Sequence, residues 1–353
     1  MSMTRTRANG RSRARFLPRP VMNFGRFAIS ILITFLGLLL VTFLIGRILP
    51  IDPVLAVVGD RAPEAVYNRV REEMGLHLPL YEQFFIYVSK VFQGDFGQST
   101  LTARPVLEDI QRVFPATLEL ATVATILGVM MGLPMGVLAA VNHGRLIDHI
   151  VRFVGLMGYS LPVFWLGLMG LLLFYMQLDW VAGPGRLDMI HEDFYEPITG
   201  MILIDSWLSG DSEMFANALS HIILPASILA YYSTAYIARM TRSFMLEQLS
   251  QEYILAARVK GVPEWKVIWR HALGNVMVPL VTVIALSYAN LLEGSVLTEI
   301  IFAWPGIGQY ITTSLLSNDM NSVLGGTVVI GTIFVALNIF SDLLYRFFDP
   351  RAK

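Results

Sequence analysis

Glu293 is an acid set in an apolar run, and Leu286, Ala289 and Asn290 share its face at helical spacing, with Ser295 nearby. A carboxylate at that depth is costly unless it meets water or a partner. Two chemistries fit. The carboxylate lines a solute path and meets water or a cationic group, or it makes a structural hydrogen bond to a neighbouring helix. Tyr288, Asn290, Glu293 and Ser295, with Pro162 on another apolar segment, are the candidate path residues. Enzymatic chemistry is poorly supplied. There is no cysteine, hence no thiol nucleophile and no Cys-ligated zinc. No G-x-x-x-x-G-K-[ST] occurs; Lys90, Lys260, Lys266 and Lys353 never follow a glycine, so nucleotide phosphates are not cradled by that device. H-E-x-x-H and G-x-S-x-G are missing, and the histidines are scattered. The chain is therefore expected to carry no catalytic residue, no metal and no cofactor of its own.

These polar residues must be positioned by membrane helices. Of 353 residues, 55% are apolar or aromatic and 15% are charged, and the mean hydropathy is +0.58. Soluble domains carry about 25% charge. A membrane protein is indicated, and a disordered chain is excluded. A span needs about 20 apolar residues. Six segments qualify: Phe24–Leu49, Leu118–Val141, Ile150–Gln177, His221–Met240, Val276–Leu297 and Leu324–Phe347. They exceed the length of membrane-barrel strands, and unpaired amides are not tolerated in lipid, so they read as helices. The first is too long for a signal peptide and lacks a small-residue cleavage site.

Charge sets the orientation. With both ends inside, the N-terminal segment 1–23 and its flank, the 142–152 turn, the loop 241–275 with its flank and the tail 348–353 with its flank hold 18 of the 26 Lys and Arg but 6 of the 27 Asp and Glu. The Arg-rich head reads as a topology determinant beside anionic membrane lipid rather than a nucleic-acid arm, and no nucleic-acid partner is expected. Residues 50–113 and the insertion 178–220 then lie outside. In the first, Ala65–Gly75 and Leu80–Phe92 have helical spacing, and the stripe Tyr81, Phe84, Phe85, Tyr87, Val88 is expected on the membrane interface. In the second, Asp188, Glu192, Asp193, Glu196, Asp205, Asp211 and Glu213 read as a solvated acidic surface. On span two, Gly128, Gly132 and Gly136 form a stripe that permits close helix approach. Pro134 and Pro162 can bend their spans.

The inner loop between spans four and five is the richest segment. A helix is expected to about Lys260, ended by Gly261. Pro263 then opens a short helix, with Glu264 at its positive end. That helix is expected to run to Leu273 and to end at Gly274, with Trp265, Ile268, Trp269 and Ala272 on one face. Such an apolar face needs a partner or the lipid headgroups. Buried acid–base pairs of the kind that ion-coupled carriers use are not evident apart from Glu293, so the energy source is expected on another chain.

This loop resembles the coupling loop of ABC-transporter permeases, E-A-A-x3-G-x9-I-x-L-P. Ala256, Ala257, Gly261 and Leu273 match, whereas Leu255, His271 and Gly274 depart from it. Ala257-Arg258-Val259-Lys260-Gly261 and Arg270-His271-Ala272-Leu273-Gly274-Asn275 instead fit the dipeptide/oligopeptide form. Gly94–Ser99, Pro115–Leu120, Ser160–Trp165, His221–Ala226 and Glu299–Gly308 are similar, in order, to elements of the B-type permease subunit of such importers. The resemblance implies an all-α type I ABC importer permease fold with six transmembrane helices, both termini inside, in a bacterial inner membrane. It implies a homologous second permease, two ABC ATPase subunits carrying ATP and magnesium, and a periplasmic substrate-binding protein. It makes Ala256, Ala257, Lys260, Gly261, Pro263, Glu264, Trp265, Ile268, Trp269, His271 and Leu273 the surface that meets an ATPase subunit. The implied cargo is a di- or oligopeptide, with nickel chelates, antimicrobial peptides and oligosaccharides as alternatives in the same group. An autonomous secondary transporter is the competing class.

Overall fold

The computed structural model describes residues 19–48, 53–59 and 62–348; most of the Arg-rich head and the tail after Phe348 lie outside the described residues. Among these residues the secondary structure is helical, with a lone bridge between Gln98 and Pro105. In chain order the helices are α1 (Arg19–Ile48), α2 (Pro53–Val58), α3 (Glu64–Glu73), α4 (Leu80–Phe92), α5 (Val106–Val141), α6 (Leu146–Ser160) and α7 (Val163–Gly170). There follow α8 (Met189–Glu192), α9 (Ile202–Ser209), α10 (Ser212–Leu249), α11 (Glu252–Val259), α12 (Glu264–Lys266), α13 (Leu273–Gly294), α14 (Val296–Ile301), α15 (Ile307–Leu316) and α16 (Met320–Phe348). Two stretches are wider π-helix, Leu171–Gln177 after α7 and Val267–Ala272 between α12 and α13.

Five helical runs are long and apolar enough to cross a bilayer: those of α1, α5, α10, α12–α13 and α16. The expected third span is different. It is α6 and α7, bent by 95° across a short break that includes Pro162. Pro162 supplies no amide to the preceding turn, and Leu161 before it is extended, as a pre-proline residue prefers. The bent pair brings the candidate spans to six.

α5 and α10 form the centre. Asp211 caps α10 by accepting from the Met214 amide at 2.9 Å. The two helices can touch because α5 presents glycine where they cross. A Cβ on Gly128 would lie 2.6 Å from Ser233 Oγ, on Gly132 3.0 Å from the Thr234 carbonyl, and on Gly136 2.6 Å from the Ala238 carbonyl. The expected stripe is thus the α5–α10 seam, packed backbone to backbone. Apolar clusters sit at either end of it. One joins Val137, Ile237, Met245, Ile254, Val267 and Leu280. The other joins Leu120, Ala124, Ile222, Leu229, Leu291 and Trp304.

Residues 50–113 and 178–220 correct two expectations. In α4 the aromatic stripe divides. Phe84, Tyr87 and Val88 pack on Leu39, Val91 and Val328 of the protein itself, and Tyr87 Oη meets Thr42 Oγ1 at 3.0 Å. Only Tyr81 and Phe85 point away. In the acidic insertion, Asp205 is buried and accepts from the Ile198, Thr199 and Gly200 amides at 2.9–3.1 Å and from Tyr195 Oη at 2.7 Å. Burial alone would raise the Asp205 carboxyl; bonds from Thr199, Tyr195 and the Ile198 amide outweigh it, so its pKa is lowered. Burial, helped by the bond to Asp205, pushes the Tyr195 hydroxyl up. Asp205 folds the insertion instead of coating it.

Candidate functional site

The loop between α10 and α13 is built around one glycine. Gly261 has φ +76°, the Gly261 amide donates to the Arg258 carbonyl at 2.9 Å, and the Val262 amide donates to the Ala257 carbonyl at 3.1 Å. These paired bonds close α11 as a Schellman motif, with Gly261 in its left-handed position. Pro263 follows as the N-cap of α12, one residue before the first helical position expected for it. Across the turn, the Arg258 guanidinium grips Glu264 at 2.6 and 3.2 Å. That hydrogen bond raises the Arg258 pKa, so the guanidinium stays charged. The turn is therefore held on both sides.

Around it, side chains divide between anchor and surface. Ile254, Val267 and Ala272 are fully buried, and Leu273 nearly so, in the apolar cluster beneath, with Ala257, Val262 and Ile268 packed against it. Leu255, Val259, Trp265 and Trp269 point outward, with Val259 81% and Trp265 62% exposed. Ala256, Lys260, Pro263, Glu264 and Lys266 are also at or near the surface, and His271 is half-buried. The Lys266 ammonium lies 5.4 Å from the Trp265 ring centroid. The apolar face expected for Trp265, Ile268, Trp269 and Ala272 is therefore split: the tryptophans face out, Ala272 faces in. The cause is the π-helical stretch Val267–Ala272, whose wider turn shifts the register.

Gly274 does not end a helix. Glu264–Gly294 is one continuous helical run, and Gly274 sits inside it with open space around it. The short helix after Pro263 is therefore joined directly to span five, with one backbone break at Gly261 rather than two.

At the other end of that run lies the candidate path. Asn290, Glu293 and Gly294 line an open cleft of about 480 Å³ with Val163, Leu229, Tyr232 and Leu291. Glu293 makes no hydrogen bond or ion pair among the described residues and is exposed to the cleft. Pro162 stands beside Val163 at the bend. Tyr288 Oη meets Thr122 Oγ1 at 3.1 Å. Ser295 is a correction: it is buried and donates to Glu299 Oε1 at 2.9 Å, away from the cleft.

Glu299 is the more deeply placed acid. It is fully buried, accepting also from Thr117 Oγ1 at 2.7 Å and from the Gln309 amide at 2.9 Å. Trp304 Nε1 donates to the Ala116 carbonyl at 2.8 Å, and the Ile307 amide to Thr117 Oγ1 at 2.9 Å. These bonds tie the segment after span five to the start of α5. Nearby, Glu119 binds Arg186 at 2.6 Å and accepts from the Leu203 amide at 2.7 Å. On the opposite side, Arg242 holds Asp148 through two bonds, at 2.6 and 2.8 Å. The expectation concerns span interiors; the buried acids Glu119, Asp148 and Glu299 lie at or just beyond the span ends, which it does not cover. Their signals were present. Glu119 and Glu299 each stand in a short motif with apolar neighbours, and Arg186 is the lone Lys or Arg of the acidic insertion.

Comparison with known proteins decides the family. A family described as "Binding-protein-dependent transport system inner membrane component" matches residues 132–353, and its N-terminal counterpart matches residues 21–121. The chain belongs to this family. It is thus an inner-membrane transport component. It is 46% identical to the probable D,D-dipeptide transport system permease protein of Escherichia coli (strain K12), over 89% of this chain and 92% of that one. It is 41% identical to the di/tripeptide transport system permease protein of Pseudomonas aeruginosa (strain UCBPP-PA14), over 91% of this chain and 95% of that one. Among solved structures, the inward-facing MetNI methionine ABC transporter aligns with a TM-score of 0.47 at 18% identity, over 66% of this chain and 93% of that chain.

Proposed function

We propose that this chain is one permease subunit of an ATP-driven importer that carries short peptides inward by alternating access. The relatives named as dipeptide and di/tripeptide permeases support the cargo. Both termini lie inside, as the Lys and Arg distribution supports. A homologous permease completes the pathway, two ATPase subunits carry ATP and magnesium, and a periplasmic binding protein delivers the peptide.

The observation that carries this reading is the inner face. Leu255, Val259, Trp265 and Trp269 are exposed on a turn held by a Schellman motif and the Arg258–Glu264 pair. A rigid apolar knob suits a groove on a moving partner. ATP binding closes the ATPase pair, the knob moves with its groove, and the change passes to span five without an intervening break. Partner contacts that differ between two states supply the bias. Glu293, unpaired in the cleft, offers a carboxylate to the peptide's terminal ammonium.

The test is reconstitution in proteoliposomes. The assembled complex imports peptide only with ATP, and Trp265→Ala with Trp269→Ala weakens ATPase co-purification and import together. Uptake by the isolated chain driven by an ion gradient would refute the proposal.

A further inference from the structure

Gly294 is a glycine without a local reason. It closes α13 in ordinary helical backbone, with none of the positive φ that sets Gly261 apart. A Cβ built on it meets no atom of the described residues within 4 Å, whereas at Gly128, Gly132 and Gly136 a methyl would strike α10. Inside a helix glycine is less favourable than alanine, because it gives up more backbone freedom on folding. Neither a left-handed turn nor a close approach within the described residues calls for glycine at this position.

What sets the position apart is its place. Gly294 lines the cleft of about 480 Å³ beside Glu293, Asn290 and Val163. Gly274 has equally open surroundings, but it lies near the other end of the same helical run and outside that cleft. The cleft has the size of a site for one small solute, within the roughly 300–1,000 Å³ usual for ligand pockets. Two of its walls, Leu229 and Leu291, are fixed by burial in the apolar cluster with Leu120 and Ile222. Room next to the carboxylate is therefore set by the side chain that position 294 lacks, and any atom added there enters the cleft rather than the protein.

We infer that Gly294 sets the size limit on the cargo. Its missing side chain leaves space beside Glu293 for the first side chain of a peptide whose ammonium meets the carboxylate. The inference rests on the reading of this cleft as the solute path and adds a specificity residue to it. A small residue in a membrane helix can also seat a neighbouring helix. Here that neighbour would be the second permease, and a bulky substitution would then impair assembly whatever the cargo.

The test is uptake of diglycine, dialanine and diphenylalanine by the reconstituted complex carrying Gly294→Ala or Gly294→Leu. The binding protein is the same in every complex, so the ratio of variant to wild-type uptake for each peptide reports this chain. The assembled complex is expected to be recovered as for the wild type. The ratio falls with cargo bulk, least for diglycine and most for diphenylalanine, and falls further with Leu than with Ala. On the scale of overpacking, the Leu variant loses about 10-fold more uptake of diphenylalanine than of diglycine. An equal loss for all three peptides overturns the inference, and so does unchanged uptake in the Leu variant. Failure of assembly overturns it too, by making Gly294 a helix seat. Glu293→Gln separates the size limit from the path. Lost transport in that variant, with no size dependence at Gly294, overturns the size limit alone. Wild-type uptake of all three peptides by Glu293→Gln removes the path, and the size limit with it.

Discussion

Replacing Gly261 isolates backbone geometry from side-chain contact. A Cβ at this position meets nothing within 4 Å, so no steric term enters. What remains is the φ of +76°, which costs an L-residue about 1–2 kcal/mol, with a β-branched residue at the upper end. At about 1.4 kcal/mol per factor of ten, the formed turn loses roughly 5- to 30-fold in population relative to an opened one. The apolar clusters on either side are untouched, so Gly261→Val accumulates in the membrane and assembles as the wild type does. Peptide uptake by the reconstituted complex falls by the same 5- to 30-fold. Gly261→Asn is the control, because asparagine enters the left-handed region more readily, and its uptake stays within about twofold of wild type. Wild-type uptake by Gly261→Val refutes the reasoning. So does equal loss in the Val and Asn variants, which would assign the effect to bulk on a docking surface rather than to the turn.

Other outcomes follow from the same geometry. Glu299→Gln sets an amide NH₂ against donors from Thr117, Ser295 or Gln309, at a cost of about 1.5–3 kcal/mol, and is read as a lower yield and melting temperature; Glu293→Gln keeps its yield but loses transport. Gly136→Ala forces a methyl to 2.6 Å from the Ala238 carbonyl and destabilises by about 1–3 kcal/mol in detergent unfolding. Gly274→Ala, in open helical space, is neutral or stabilising by up to about 1 kcal/mol; impaired uptake there would restore the second hinge. The lowered pKa of Asp205 means that its contribution is present above the unfolded carboxyl value near 4 and is lost as pH falls through the folded value. The protection factors of the Ile198–Gly200 amides, corrected for the intrinsic pH dependence of exchange, are expected to fall as acid protonates Asp205, and Asp205→Asn abolishes that fall.

The sequence made α3 and α4 legible because each is amphipathic over its whole length. The Gly128–Gly136 stripe was legible because small residues four apart have few other uses in a span. The Gly261 turn was legible because glycine followed by proline stops one helix and starts another. The π-helical Val267–Ala272 was not, since a 3.6-residue period hides a local change of register. Pairs such as Glu119–Arg186 were hidden by separation: partners 67 residues apart carry no mutual mark in the chain. Ser295 looked like a neighbour of Glu293, but a bond to Glu299 turned it inward.

Because Glu264–Gly294 is one helical run, with Pro279 inside it, Trp265 and Glu293 sit near opposite tips of a single rod, about 40 Å apart at 1.5 Å per residue. A tilt of only about 5° at the tryptophan tip would carry the carboxylate sideways by some 3 Å, roughly the width of a water molecule. Displacement at the exposed tryptophan surface and displacement at the Glu293 cleft are therefore geometrically one motion seen from two ends.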